Sequence, residues 1–283
     1  MKRKRTAGSR IGYTAAVVLF IVFCLGPILW SFIMSITPQS EMMGEVTTFF
    51  PENPTFGNYK KLLLDTEQQA LLYRRGIGNS MKAALLSLLI GIPMAVLCAY
   101  PMSRLKFKGS VVMRNVLLFT MAIPVFATII PLYKLYISLR LLNNLAGLVL
   151  VYITSFLPMT VWLLISYFDT LPQELEEAAY VDGGSKFYVM LKIILPVSYP
   201  IIFAASLIVF LQTWNQFQIP LILAPGHETK PIAVVASEFV TKSTVDYGLM
   251  NAGGIIALIP PAIIAIVFRK FLIQGIAGGS TKG

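Results

Sequence analysis

The chain alternates between long apolar runs and shorter polar segments. Six of the runs exceed the roughly 20 residues that a helix needs to cross a bilayer, and polar, glycine- or proline-containing segments separate them. We therefore predict an all-α, polytopic membrane bundle of six transmembrane helices. The predicted spans are residues 11–36, 78–102, 111–139, 144–168, 197–223 and 248–273.

The polar segment between the fourth and fifth predicted spans, residues 170–200, is unusually long and rich in helix signals. Thr170 is predicted to cap a short helix whose first turn contains Pro172 and three glutamates, and negative charge there favours the positive end of the helix dipole. Gly183 and Gly184 predict its end, and Ser185 predicts the cap of a second short helix. Two short helices with a glycine corner are expected.

This segment also carries a family resemblance. Glu177-Ala178-Ala179, then Gly183, Ile193 and Leu195-Pro196 at matching spacings, resembles the EAA loop of membrane permease subunits of binding-protein-dependent ABC importers. The resemblance implies that the first helix is a cytoplasmic coupling helix, which sits in a cleft of an ATPase subunit. A solvated amphipathic loop helix is the alternative. The residues assigned to ATPase coupling are Glu177, Ala178, Ala179, Asp182, Gly183, Leu195 and Pro196.

Composition agrees with a membrane protein. The chain is 56% hydrophobic and 13% charged, whereas soluble domains are typically about 45–50% apolar. The net charge of +10 comes from basic residues scattered at the ends of apolar runs, which indicates membrane topology and argues against nucleic acid as a partner. The two cysteines, Cys24 and Cys98, both lie inside apolar runs.

The basic residues also predict orientation. Most of the 23 Lys and Arg residues lie in segments that are cytoplasmic if the N-terminus is cytoplasmic. Six spans return the C-terminus to that side, and the 170–200 segment lies there too. With the resemblance, we expect a multi-pass protein of a bacterial-type cytoplasmic membrane. Residues 1–75 would form the first helix and an extracytoplasmic loop, 76–271 a type-1 permease domain and 272–283 a cytoplasmic tail.

Catalytic chemistry is not expected of this chain. It has no G-x-x-x-x-G-K-[ST] phosphate loop, so ATP and Mg would bind to partner ATPase subunits and no cofactor or metal to this chain. The single histidine, His227, is interpreted as a solvated loop residue. No carboxylate stands out in the middle of a span, which argues against an ion-coupled carrier.

Neutral polar residues inside the spans are candidates for a solute path. Gln212, Asn215 and Gln216 are predicted to share one helical face beside Trp214. Amides beside aromatic rings suit a polyhydroxylated solute. The alternative is that these amides hydrogen-bond neighbouring spans. Tyr152 in the fourth span and Asn251 in the sixth are weaker candidates of the same kind.

Further motifs are similar to the carbohydrate branch of these permeases, in particular to the smaller subunit of maltose-type importers. The resemblance implies four kinds of partner: a second permease subunit, two ATPase subunits, an extracytoplasmic solute-binding protein and membrane lipid. Import of an amino acid, peptide or phosphonate stays an alternative, as does a channel or secondary carrier without an ATPase. The motifs include Asn58-Tyr59, Asn79-Ser80, Ser103-Arg104, Ile130-Pro131-Leu132-Tyr133 and Trp214-Asn215-Gln216-Phe217.

Overall fold

A computed structural model describes residues 7–42, 49–105, 107–239 and 246–279 of the chain. Within these ranges all regular elements are helical, which confirms the all-α fold class. The helices are α1 Ala7–Ile36, α2 Gln39–Met42, α3 Gly57–Leu64, α4 Gln68–Arg104, α5 Ser110–Ala122, α6 Val125–Ser138, α7 Leu145–Phe168, α8 Glu174–Val181, α9 Lys186–Val189, a π-helical turn at Met190–Ile194, α10 Leu195–Val197, α11 Tyr199–Trp214, α12 Gln218–Leu223, α13 Ile232–Ser237 and α14 Tyr247–Gly279.

Single helices account for four of the six predicted spans in the described ranges. These four lie in α1, α4, α7 and α14, and each is long and apolar enough to cross a membrane. The other two predicted spans are bent. Counting each bent pair as one span gives up to six.

The predicted span at 111–139 is divided into α5 and α6, whose axes differ by 97°. Pro124 lies at the break in an extended conformation, and so does Ile123 before it. Proline has no backbone N–H to continue the helix and disfavours helical geometry in the residue that precedes it. An apolar pattern alone does not reveal such a bend.

The predicted span at 197–223 is also interrupted. At its start, the helical segment Lys186–Val197 meets α11 at 78°, with Ser198 at the bend. At its end, α11 stops at Trp214 and α12 begins at Gln218. Pro220 explains the second interruption, because its ring would clash with the carbonyl of Gln216 in a continuous helix but is tolerated in the first turn of a new one.

Helices α3 and α4 are separated by residues 65–67. The side chain of Asp65 accepts hydrogen bonds from the backbone N–H groups of Thr66 and Glu67, at 2.7 and 3.3 Å. Such local bonds compete with helix continuation. The last helix, α14, runs to Gly279, so residues 272–279 extend the predicted sixth span as helix.

The chain divides into two compact units. The first consists of Met1–Arg74 and Ala236–Ile259. In it, the hydroxyl of Tyr73 donates to the carbonyl oxygen of Gly253 at 2.5 Å, and Asn58 Nδ2 donates to the carbonyl oxygen of Ser35 at 2.9 Å. These contacts join segments that are far apart in sequence.

The second unit consists of Arg75–Val235 and Pro260–Gly283. One hydrophobic cluster in it joins the C-terminal halves of α4 and α7 to the π-helical turn and α11, and includes Ala99, Phe168, Ile194 and Ile201. We call this part, with residues 100–105, 107–114 and 167–198, the coupling end. The loops at residues 139–147 and 223–232, with residues 76–80, form the far end of the same unit.

Candidate functional site

The coupling end is built around α8. The helix begins at Glu174, where the carbonyl oxygen of Gln173 accepts from the backbone N–H groups of Glu176 and Glu177. The predicted cap at Thr170 is therefore wrong: its hydroxyl donates to the carbonyl of Tyr167 at 2.7 Å and ends the preceding helix. Pro172 lies before α8 and disfavours helical geometry at Leu171, which delays the start of the helix.

The predicted glycine corner is present. Gly183 has φ +80°, and its N–H donates to the carbonyl of Tyr180 at 3.0 Å, while the N–H of Gly184 donates to the carbonyl of Ala179 at 2.9 Å. This pair of bonds is the Schellman ending of a helix. A Cβ at position 184 would lie 2.7 Å from the Ala179 oxygen, so both glycines are needed, for different reasons.

The second short helix also begins as predicted, because the hydroxyl of Ser185 accepts from the N–H of Tyr188 at 3.2 Å. It continues into the π-helical turn, where the N–H of Leu195 donates to the carbonyl of Met190. In a regular helix Pro196 would clash with the carbonyl of Lys192. The wider π turn relieves this clash, and such turns occur frequently at functional sites.

Helix α8 has two distinct faces. Its outward face is formed by exposed residues at i, i+3, i+4 and i+7 spacing, which are Glu174, Glu177, Ala178 and Val181. The side chain of Val181 is 87% exposed. The opposite side carries buried Glu176 and half-buried Ala179, which packs against the hydrophobic cluster.

A buried ion pair ties the inward face to α4. Arg104 Nε lies 2.9 Å from Glu176 Oε1, and the two side chains are only 5% and 9% exposed. The contact is chiefly electrostatic, since these two atoms do not have hydrogen-bond geometry. Glu176 Oε2 accepts from the Tyr100 hydroxyl at 3.3 Å, and Arg104 Nη2 donates to the carbonyl oxygen of Leu171 at 2.8 Å.

A second, more exposed set of contacts lies beside this pair. Arg114 Nη1 contacts Asp169 Oδ2 at 3.1 Å, and Arg114 also donates twice to the carbonyl of Met102, at 2.6 and 3.1 Å. The hydroxyl of Ser103 donates to Asp169 at 2.5 Å. Arg114 therefore satisfies a carbonyl at the C-terminal end of α4 while it joins α5 to the loop after α7.

An open groove of about 460 Å³ lies at the glycine corner. It separates the end of α8 from the start of the second short helix, so a side chain of a partner can enter it. The lining residues are Ala179, Asp182, Gly183, Gly184, Ser185, Tyr188 and Ile193.

The structure distributes the predicted coupling residues between the surface and the interior. Ala179 and Leu195 are half-buried and pack against the hydrophobic cluster, so of the two adjacent alanines only Ala178 faces outward. The exposed members of the set are Glu177, Ala178, Asp182, Gly183 and Pro196.

Sequence reasoning missed the residues that anchor α8. Arg104 was noted only as part of the Ser103-Arg104 motif, and Glu176 only as a first-turn charge. The available signal was the spacing: Glu176 and Tyr180 are four residues apart on α8, as Tyr100 and Arg104 are on α4. Nothing in the sequence says that these two pairs face each other.

The prediction that Gln212, Asn215 and Gln216 share one helical face is wrong, because α11 ends before Gln216. Because the helix stops at Trp214 with Asn215 at its C-cap, Gln216 does not continue the face of Gln212. Trp214 is buried and stacks against Phe210 with ring centroids 5.8 Å apart. Its bulky ring fills the interior of the unit, which leaves it inaccessible to a solute in this conformation.

The remaining solute-path candidates differ in accessibility. Tyr152 is fully buried beside Phe156, and is equally inaccessible. Gln212 is half-buried, with Nε2 3.5 Å from the Met159 sulfur, and Asn215 is exposed. Asn251 donates to the carbonyl of Tyr247 in its own helix. No cluster of His, Cys, Asp or Glu in the described ranges could hold a metal ion.

Comparison with known proteins places these features among transport components. Curated relatives include the sulfoquinovosyl glycerol transport system permease protein SmoH of Agrobacterium fabrum, 27% identical over 98% of this chain and 95% of that protein. The trehalose/maltose transport system permease protein MalG of Thermococcus litoralis is 30% identical over 97% of each chain. The galactooligosaccharides transport system permease protein GanQ of Bacillus subtilis is 30% identical over 95% of this chain and 93% of that protein.

A solved structure supports the fold. A chain of a bacterial ABC transporter involved in the import of the acidic polysaccharide alginate matches with a TM-score of 0.80 and 23% identity, over 94% of this chain and 98% of that chain. The family described as binding-protein-dependent transport system inner membrane component matches residues 91–278. Its apolar helices make this chain a multi-pass membrane protein. Because the matched region covers most of its length, the chain belongs to that family, whose members are transport components and not enzymes.

Proposed function

We propose that this chain is a transmembrane permease subunit of an ABC importer that moves a sugar or oligosaccharide into the cytoplasm. The curated relatives above are named for transport of glycosides and oligosaccharides, which supports a carbohydrate. ATP and Mg would be bound by two separate ATPase subunits. A second permease subunit and an extracytoplasmic solute-binding protein would complete the complex in the lipid bilayer.

The observation that carries this proposal is the geometry of α8. Its inward face is anchored by Arg104, whereas its outward face and the adjoining glycine corner are free for a partner. A short exposed helix on a firm support can receive a push and transmit it to the bundle, which then changes between two states. We propose that Glu177 contacts the ATPase subunit and that Gly183 forms the corner that ends α8.

Contacts within the second unit support the proposed topology. The coupling end brings together residues from the loops after the second and fourth spans, such as Ser103 and Asp169. The far end brings together residues from the loops after the third and fifth spans, such as Asn143 and Gly226. This alternation agrees with a cytoplasmic N- and C-terminus and with α8 on the cytoplasmic side. We retain residues 1–75, 76–271 and 272–283 as the proposed segments.

Two alternatives make different predictions. A permease for an amino acid, peptide or phosphonate would keep the ATPase dependence but not the sugar. A channel or secondary carrier would move solute in liposomes that contain the purified chain alone. We propose Gln212 and Asn215, rather than Trp214 or Tyr152, as the residues that first meet a solute, because they are not fully buried.

The central test compares two substitutions of Gly183 in the reconstituted complex. Gly183→Leu should abolish solute-stimulated ATP hydrolysis while the protein stays in the membrane, because a branched side chain disfavours φ +80°. Gly183→Asn should retain most of it, because asparagine tolerates this conformation. Normal stimulated hydrolysis in Gly183→Leu would contradict the proposal.

Orientation is tested by labelling a cysteine at the outward face of α8. In a background with Cys24→Ser and Cys98→Ala, Val181→Cys should react with a membrane-impermeant maleimide only after cells are opened. Modification of this cysteine in intact cells would place α8 on the external side, where no cytoplasmic ATPase could reach it.

The solute class is tested separately, by comparing uptake of maltose, trehalose and galactooligosaccharides with uptake of glutamine and a dipeptide.

A further inference from the structure

Helix α8 is a short element that is connected to the rest of the unit by a short segment of chain at each end. One short loop, residues 169–173, leads to it from α7, and the glycine corner leads away from it. A helix of eight residues held only at its ends could rotate about its axis when a partner pushes on it. The position of α8 under load therefore depends on what its inward face contacts.

That face makes a two-point contact with α4. Glu176 meets Arg104 at 2.9 Å and Tyr100 at 3.3 Å. One turn further along α8, the hydroxyl of Tyr180 lies 3.5 Å from that of Tyr100. Two side chains four residues apart on one helix thus face two side chains four residues apart on the other. This arrangement opposes both rotation and sliding of α8 along α4.

Burial makes the contact specific. An ion pair removed from water gains little net stability, because the cost of desolvation offsets the attraction. Its better-attested role is to select one geometry, since any register that separates the charges leaves each of them buried and unpaired. The bond from Arg104 to the Leu171 carbonyl also fixes the loop that leads into α8.

The consequence concerns the outward face. Helix residues are spaced by about 100° around the axis, so a one-residue rotation would exchange buried Glu176 for exposed Glu177 and turn Ala178 and Val181 away from a partner. We propose that Arg104 and Glu176, assisted by Tyr100 and Tyr180, are positioning residues that lock the rotational register of α8 against α4. This inference rests on the proposed function, because it makes α4 a second route by which closure of the ATPase reaches the bundle.

The rotational register of α8 against α4 can be tested by a distance measurement that needs no solute. Spin labels at Gln173→Cys, an exposed position just before α8, and at Leu89→Cys, 72% exposed on α4, report the separation of the two helices. In a background with Cys24→Ser and Cys98→Ala, the distance distribution should be narrow and should stay narrow when MgATP and orthovanadate trap the complex. Glu176→Gln should broaden it. The matched control Glu174→Gln removes the same charge from the same turn of α8 but should leave the distribution narrow.

The second readout separates positioning from simple loss of structure. In the reconstituted complex, Glu176→Gln should continue to hydrolyse ATP, whereas maltose or trehalose uptake per ATP should fall by about five-fold or more, the usual scale of coupling between sites. Tyr100→Phe keeps the ion pair and removes only the hydroxyl, so it should fold and show a smaller fall of the same kind.

The outcomes distinguish the two proposals. A narrow distribution in both Glu176→Gln and Tyr100→Phe would overturn the register lock, and so would normal uptake per ATP in both. If the Glu176→Gln complex does not assemble, an unchanged distance distribution in Tyr100→Phe is by itself enough to overturn the register lock. A wild-type complex that transports no sugar of the panel would contradict the carbohydrate proposal, while the distance measurement would still decide the role of the pair.

Discussion

The two ends of the second unit hold their loops by different chemistry. At the coupling end, charged side chains are central: Arg104 contacts Glu176, and Arg114 contacts Asp169. At the far end, neutral amides and hydroxyls hold the loop that follows α12. Asn143 Oδ1 accepts from the Gly226 N–H at 2.9 Å and from the Thr229 hydroxyl.

Two further residues complete the far-end contacts. Asn79 Nδ2 donates to the carbonyls of Glu228 and Lys230, at 2.7 and 3.2 Å, and the Ser80 hydroxyl accepts from the Ile232 N–H at 2.9 Å. These bonds satisfy backbone groups of an irregular loop.

The difference shows what each end is suited to do. Neutral amides satisfy a loop at a moderate energy per bond, and the loss of one bond leaves the others in place. A buried ion pair responds in an all-or-none manner, because a separated pair leaves a charge without compensation. The coupling end is thus suited to hold one register under load, and the far end to hold a loop in shape.

The largest expected effect is at the buried pair. Arg104→Met should destabilise the protein by about 3–5 kcal/mol, because Glu176 stays buried without its partner. Arg104→Met combined with Glu176→Leu should recover most of that stability, since an apolar pair of similar volume is often neutral. Thermal unfolding in detergent measures both. Equal losses in the single and double variants would mean that packing, not charge, dominates there.

A smaller effect is expected at the far end. Asn143→Ala removes the acceptor of two hydrogen bonds and places alanine at φ 54°, which should cost about 1–3 kcal/mol. Asn143→Asp retains an acceptor oxygen and should be milder. Asn143→Gly separates the two causes, because it relieves the backbone but not the lost bonds. Limited proteolysis of the 224–231 loop reports the result.

The smallest effect is expected at the exposed pair of the coupling end. Arg114 and Asp169 are 29% and 40% exposed, and such pairs contribute about 0.2–1 kcal/mol. Asp169→Asn should therefore change the unfolding temperature little, and less still at high salt, where surface charges are screened. A loss as large as that of Arg104→Met would remove the distinction between the two pairs.

The parts of the fold that follow from local chemistry were predictable. Length and apolar content predict the spans, and the glycines at 183 and 184 predict the corner, because a positive φ and a close carbonyl both exclude a side chain. Ser185 predicts its cap for the same local reason. The 97° break at Pro124 was not predicted, since prolines elsewhere in the chain, such as Pro93, lie within continuous helices.

The solute-path face shows the limit of periodicity. The spacing of Gln212, Asn215 and Gln216 suits one helical face only if the helix continues, and it ends at Trp214. Pro220 was visible in the sequence, but whether a proline bends, ends or is absorbed by a helix depends on the partners that its neighbours find.

By itself the sequence determined that this protein is a bundle of membrane helices with a glycine-ended helix, followed by a second helix capped by Ser185, between the fourth and fifth spans. Those features depend on apolar length and on backbone preferences within a few residues. Only the tertiary structure decided that Glu176 faces inward while Glu177 faces out. That choice depends on Arg104, about 70 residues earlier in the chain, and a buried charge takes its orientation from the partner that compensates it.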